Sequence, residues 1–153
     1  MPSQKDSHPE LSVVMPAFNE GAHIHANIRH VCETLEGLHY EIIVVDDGSS
    51  DNTFAESQRA ADEGYPVRAV RKDVIRGKGA SLFHGFEFAG GDLIAFLDSD
   101  LEIAPENLPT LIQVMRATSA DVVAGVKDLQ ANQFPPMRRL MSRGYRAMVA
   151  LLF

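Results

Sequence analysis

The chain has 153 residues, 45% hydrophobic and 23% charged, which suits one globular domain with a real core and excludes an intrinsically disordered polymer. Its formal net charge of −7 argues against a broad nucleic-acid-binding surface. A single cysteine rules out a disulfide framework within the chain, and no apolar run is long enough to cross a bilayer as a helix.

Residues 1–10 form a polar tail without the apolar core of a signal peptide, so a cytoplasmic location is the expectation. Leu11–Met15 is a short apolar run ended by Pro16 and reads as a buried strand. Ala17–Gly21 makes a loop. Ile24, Ile28, Val31 and Leu35 then recur at helical spacing, with Gly37 as the stop. Cys32 lies at an apolar position of that helix and reads as a structural thiol. His25 and His30 are five residues apart, which does not place them together as a metal pair, so they are expected at the surface.

Tyr40–Val45 is the second strand, and Asp46–Asp51 is its exit, with Gly48 in the turn and Ser50 or Asp51 as the cap of the next helix. That helix runs to about Glu63, and a third strand covers Val67–Val70. The Arg76–Gly79 turn opens a helix through Leu82, Phe83, Phe86 and Ala89, closed by Gly90–Gly91. Leu93–Leu97 is expected to be the central strand of the sheet. Pro105 fits the first turn of a further helix with Leu108, Leu111, Ile112 and Met115 on its core face, and Asp121–Ala124 is expected to be a fifth strand.

The central run ends in three acids at alternating positions, Asp98, Asp100 and Glu102. Unpaired carboxylates at the end of a buried strand are costly, and a hard divalent cation shared with phosphate would resolve that cost. Strands alternating with helices imply a parallel, doubly wound α/β sheet. Right-handed crossovers bring every strand's C-terminal end to one edge, where ligands bind at a switch in strand order. Phe18–Glu20, Asp46–Asp47, Asp98–Glu102 and Lys127 should therefore converge.

Other phosphate and nucleophile motifs fail. Around Gly77 and Lys78 a Walker A loop lacks its upstream glycine, replaced by Lys72, and Leu82 takes the third glycine position of a dinucleotide fingerprint. No Gly-x-Ser-x-Gly elbow is present. After a break at Pro135–Pro136, Met137–Phe153 carries Arg138, Arg139, Arg143 and Arg146 beside an apolar stripe. Such a basic amphipathic helix suits an anionic membrane or phosphates, or packs on the sheet or a partner subunit. The chain ends inside that apolar run, which reads as a shortened segment.

Val14–Glu20, Val44–Asp51, Arg76–Ala80 and Gly91–Asp100 occur in the order and rough spacing of family 2 glycosyltransferases of the GT-A fold. Leu101–Glu102, Pro105–Glu106 and Arg138–Gly144 further resemble the dolichyl- and polyprenyl-phosphate mannose and glucose synthases. The resemblance implies a Rossmann-like, mainly parallel sheet with helices on both faces, lacking the C-terminal acceptor part. It divides the chain into a polar tail (1–10), a nucleotide-sugar-binding domain (11–128), and a linker with a basic amphipathic helix (129–153).

The resemblance also implies roles. Pro16, Phe18 and Glu20 line the nucleoside pocket, and Asp47 with Asp46 hydrogen-bonds base or ribose. Val45, Lys78, Ser99, Lys127 and Arg138 complete the donor site. Asp98 and Asp100, with Glu102 as third ligand, hold Mg²⁺ or Mn²⁺. Asp98, Asp100 and Arg143 serve the transfer. The reaction implied is inverting, metal-dependent transfer of mannose or glucose from a nucleoside-diphosphate sugar to a polyprenyl or dolichyl phosphate. That places the protein peripherally at the inner face of a membrane, with homo-oligomers possible. Transfer to a saccharide or protein hydroxyl, and a truncated nucleotide-sugar-binding module without turnover, are the alternatives.

Overall fold

The computed structural model describes residues 8–72 and 75–125. Four strands, β1 (Leu11–Ala17), β2 (Tyr40–Asp46), β3 (Val67–Arg71) and β4 (Leu93–Phe96), alternate with helices α1 (Ile24–Thr34), α2 (Thr53–Asp62), α3 (Lys78–Phe86) and α4 (Asn107–Thr118). The strands form one sheet in the order β3-β2-β1-β4, and every neighbouring pair is parallel.

Both faces of β1 and β2 are apolar because helices cover both. Val13, Met15, Ile42 and Val44 point to one face, where Ile24, Ile28, Val31 and Leu35 of the α1 segment, Ala60 of α2 and Leu108 of α4 complete the larger core. Val14, Ile43 and Val45 point to the other, against Leu82 of α3 and Phe88 beyond it. The one-residue alternation of a strand thus separates two cores. The four apolar residues predicted for α1 are all fully buried. Leu108 is buried on α4, while Leu111, Ile112 and Met115 are half-buried.

Gly85 sets how closely α3 approaches the sheet. A Cβ built there would lie 2.4 Å from Val14 Cγ1 and 2.9 Å from Val45 Cγ2, closer than real contacts allow.

Two expectations are corrected. Leu93–Phe96 lies at one end of the four described strands, not at the centre, because the chain returns beside β1 after β3. It is also only partly buried, and Phe96 is 54% exposed. Residues 121–125 form no strand, although Val122, Val123 and Ala124 are apolar; composition alone does not make a strand without a ladder to join. Smaller differences concern ends. Pro105 precedes α4, whose N-cap is Glu106, and α3 stops at Phe86, short of Ala89. Residues through Asp121 form one unit, and Val122–Phe153 a second of which only 122–125 are described. The expected basic helix, with Lys127, Arg138 and Arg143, lies outside the described residues. Among the described residues no helix is long and apolar enough to cross a membrane.

Candidate active site

The strand order reverses its direction of growth at β1, with β2 and β3 added on one side and β4 on the other. A crevice opens at such a point beyond the C-terminal ends of the strands. Here it is a cleft of about 260 Å³. Pro16, Ala17, Phe18 and Glu20 line it from the end of β1, and Asp47 from the exit of β2. Lys78 and Ser81 enter from α3, and Asp98, Ser99 and Asp100 from the exit of β4. Acids far apart in sequence, Asp47 and Asp100 above all, therefore face one cleft. Its volume is just under the usual ligand-site range of roughly 300–1,000 Å³, so these residues make a floor rather than an enclosure.

The floor is built by hydrogen bonds between the loops that follow β1 and β2. The Asn19 N–H donates to Ser49 Oγ (2.9 Å), and Asn19 Oδ1 accepts from the Ser50 N–H (3.0 Å). The Glu20 N–H donates to Thr53 Oγ1 (2.8 Å), and the Gly21 N–H to Asp51 Oδ2 (2.9 Å). Asp51 Oδ1 also accepts from the Thr53 N–H (3.0 Å), an Asx turn at the start of α2, and from the Thr53 hydroxyl. These donors, the Thr53 hydroxyl first, hold the Asp51 carboxyl below the ordinary aspartate range. Asn52 is the N-cap and makes no side-chain cap bond, so the expected cap role of Ser50 or Asp51 is replaced by this turn.

Asp47 is 5% exposed and its carboxylate is already engaged. Oδ1 accepts from Lys72 Nζ (2.8 Å) and the Arg76 N–H (3.1 Å), and Oδ2 from the Gly77 N–H (2.7 Å). Burial alone would push this carboxyl up; Lys72 and the two N–H groups outweigh it and hold it below the ordinary range. Asp47 therefore anchors the segment that leads into α3. Gly77, at φ +82°, takes a backbone conformation that favours glycine. Lys78 follows at once, and its Nζ sits 2.5 Å from Asp98 Oδ1.

The turn after β4 closes with the Leu101 N–H donating to Asp98 O (3.1 Å). Leu101 takes φ +52°, a left-handed conformation uncommon for its side-chain type, while its side chain packs on the larger core. That cost, roughly 1–3 kcal/mol, is the kind that clusters at functional sites. Ser99 is buried, and its carbonyl accepts from Asn27 Nδ2 (2.7 Å), tying the turn to α1.

Three sequence expectations need correction. Val45 is fully buried against Val14 and Ile43, so its side chain faces the core and not the cleft. Asp46 is 1% exposed and turned inward: Oδ1 accepts from the Ser49 N–H (3.0 Å), and Oδ2 lies 3.5 Å from Arg71 Nε. Glu102 does not join Asp98 and Asp100 in the cleft lining; its N–H donates to Asp100 Oδ1 (3.0 Å). Among the described residues no three His, Cys, Asp or Glu side chains gather to close around a metal. Two hard carboxylates on one turn nevertheless fit a Mg²⁺ or Mn²⁺ ion that completes its sphere with substrate phosphates. His25 and His30 pair with Glu63 and Glu106 at 2.9 and 2.7 Å, away from the cleft lining.

Sequence reasoning did not single out Lys72, Ser81 or the Asn19–Ser49 and Glu20–Thr53 bonds. The Asp51–Asn52–Thr53 run carried a turn signature, but no local spacing links residue 47 to 72.

Residues 12–149 match the family model described as glycosyl transferase family 2. The chain belongs to that family. It is 33% identical to a dolichol-phosphate mannosyltransferase of Pyrococcus furiosus, over 88% of this chain and 39% of that protein. It is 34% identical to glycosyltransferase AglD of Haloferax volcanii, over 93% of this chain and 24% of the relative. An undecaprenyl-phosphate 4-deoxy-4-formamido-L-arabinose transferase of Pseudomonas paraeruginosa is 38% identical over 77% of this chain and 35% of its own length. The chain thus spans well under half of each of these three relatives.

Among solved structures, a mannosyltransferase from Pyrobaculum calidifontis in complex with GDP-mannose and Mn²⁺ aligns with a TM-score of 0.63 at 23% identity, over 72% of this chain and 33% of that one. Glucosyl-3-phosphoglycerate synthase from Mycobacterium tuberculosis, in complex with Mn²⁺, UDP and glucosyl-3-phosphoglycerate, aligns at 0.58 and 31% identity, over 70% and 39%. The fold of this family 2 chain is accordingly the GT-A type.

Proposed function

We propose that this chain carries the donor-binding half of an inverting, metal-dependent glycosyltransferase that moves a hexose from a nucleoside-diphosphate sugar to a polyprenyl phosphate. The observation that carries it is a cleft at the β1/β4 switch point, lined in common by Asp47, Lys78, Asp98 and Asp100. Relatives named for transfer to dolichol phosphate and undecaprenyl phosphate support the acceptor class. Mn²⁺ with UDP in a solved structure 31% identical supports the donor and the metal.

Phe18, 48% exposed at the rim, offers a ring on which a base stacks. Pro16 and Glu20 line the same wall, and Asp47 accepts from base or ribose with its remaining lone pairs. Asp98 and Asp100 would hold the divalent ion, which supplies charge neutralisation as the diphosphate departs. Lys78 contributes an ammonium to the same phosphates. A polyprenyl phosphate is already an anionic nucleophile, so its attack on the anomeric carbon requires no general base. Lys127, Arg138 and Arg143 supply further cations to donor and acceptor phosphates in this scheme. A nucleoside-diphosphate-sugar donor together with a lipid acceptor would suit a protein peripheral to the cytoplasmic face of a membrane.

Calorimetry with GDP-, UDP- and dTDP-linked sugars, with and without Mn²⁺, tests the donor. Asp100→Ala is expected to abolish the metal-dependent part of donor affinity while the thermal unfolding profile stays unchanged. Undiminished metal dependence in that variant would remove the assignment. The solved structure with glucosyl-3-phosphoglycerate favours a second reading, transfer to a hydroxyl of a small acceptor. Product analysis with a polyprenyl phosphate against hydroxyl acceptors separates the two.

A further inference from the structure

Within the donor site proposed above, Lys78 and Asp98 make a contact that a metal-binding carboxylate does not need. The ammonium lies 2.5 Å from Asp98 Oδ1, and both residues line the cleft beside Asp100. Lys78 is not placed there by a loose loop. It is the first residue of α3, it follows Gly77, and the Gly77 N–H is held by the nearly buried Asp47 carboxylate. Gly85 seats the other end of the same helix against Val14 and Val45. The Lys78 side chain is 60% exposed and that of Asp98 37%, so an anchored backbone carries a side chain that solvent and ligands can reach.

We propose that Lys78 is a built-in monovalent occupant of the cation position, competing with the divalent ion for Asp98 until a diphosphate arrives. This inference rests on the donor-site reading above. A divalent cation entering the nucleotide-free cleft meets an ammonium already on its ligand, and the two repel. A nucleoside diphosphate gives that ammonium a better partner, because phosphate oxygens accept charge-assisted hydrogen bonds. Lys78 then leaves Asp98 for the phosphates, and Asp98 becomes available to the metal. Metal and donor diphosphate therefore bind with positive coupling, and each enhances the other's affinity by the same factor. The residue makes the bare cleft a poor scavenger of divalent ions.

Mn²⁺ binding to the nucleotide-free full chain, read by electron paramagnetic resonance of the free ion, tests this. Lys78→Gln is expected to bind Mn²⁺ tighter than wild type by at least about fivefold, the lower end of usual site–site coupling. Lys78→Arg keeps the charge and is expected to stay at the wild-type level. The gain in Lys78→Gln is expected to vanish when Asp100→Ala is added. Affinity for UDP or GDP without metal is expected to fall in Lys78→Gln. Equal or weaker Mn²⁺ binding by Lys78→Gln, a matching gain in Lys78→Arg, or unchanged diphosphate affinity overturns the competition. Failure of every variant to bind Mn²⁺ even with UDP or GDP present overturns the donor-site reading itself. Wild-type binding in the presence of nucleotide, with no gain in Lys78→Gln, overturns the competition alone.

Discussion

Asp47 accepts from the Lys72 ammonium and from two backbone N–H groups, and the two side chains are 7% and 10% exposed. Truncating the carboxylate leaves a nearly buried ammonium without its partner, so Asp47→Ala is expected to lose about 3 kcal/mol in urea denaturation at pH 7. Asp47→Asn keeps the shape and should lose less. The pH dependence has a definite sign. The folded-state pKa lies below the ordinary value of 3.8, so the unfolded chain takes up the proton first as pH falls. The carboxylate's contribution is whole above that value and is lost as pH drops through the lower folded-state value. The stability gap between wild type and Asp47→Asn, measured at a series of pH values, is therefore expected to narrow below 3.8. At this scale the order of residues places acids at the strand exits and does not show what each one touches. Asp46 and Asp47 are adjacent, and alternation turns one inward to Ser49 and Arg71 and the other to the cleft. Nothing in the Asp46–Asp47 pair itself shows which is which without the strand's register.

At the scale of elements, α3 is the one whose seating matters for the site. Gly85→Ala adds helix propensity, worth about 1 kcal/mol, but drives a methyl into Val14 and Val45. Overpacking of this kind costs roughly 1–3 kcal/mol, so a net loss of about 1 kcal/mol is expected in urea denaturation. The helix must shift to accommodate the methyl, and Lys78 moves with it. Calorimetry should show weaker nucleoside-diphosphate binding in Gly85→Ala than in an exposed control such as Phe83→Ala, a residue 68% exposed. The helices were legible because their apolar spacing is strong; Ile24, Ile28, Val31 and Leu35 fell on one face as expected. Gly85 was not, since a glycine within a helix looks like a weakness until the strands beneath it are known. The expected fifth strand failed for the complementary reason, because Val122 and Val123 have strand chemistry but form no ladder.

Over the whole molecule, the convergence of the exit loops follows from parallel strands and alternating helices, which the order of apolar runs already displayed. The sheet order did not follow from it: placing Leu93–Phe96 beside β1 and not in the middle depends on a crossover that no single segment records. The loops after β1 and β2 are fastened by Asn19 to Ser49 and Ser50, by Glu20 to Thr53 and by Gly21 to Asp51. The loop after β2 is therefore not a module that can be exchanged alone, because its side chains accept from the backbone of the loop after β1. A chimera taking residues 49–53 from a relative without the Ser49, Asp51 and Thr53 side chains would strand the backbone N–H groups of Asn19, Glu20 and Gly21. It is expected to melt lower than either parent, whereas transplanting both stretches together restores the parental melting temperature. The two segments form one wall, and the shape of the cleft on that side is a joint property of both.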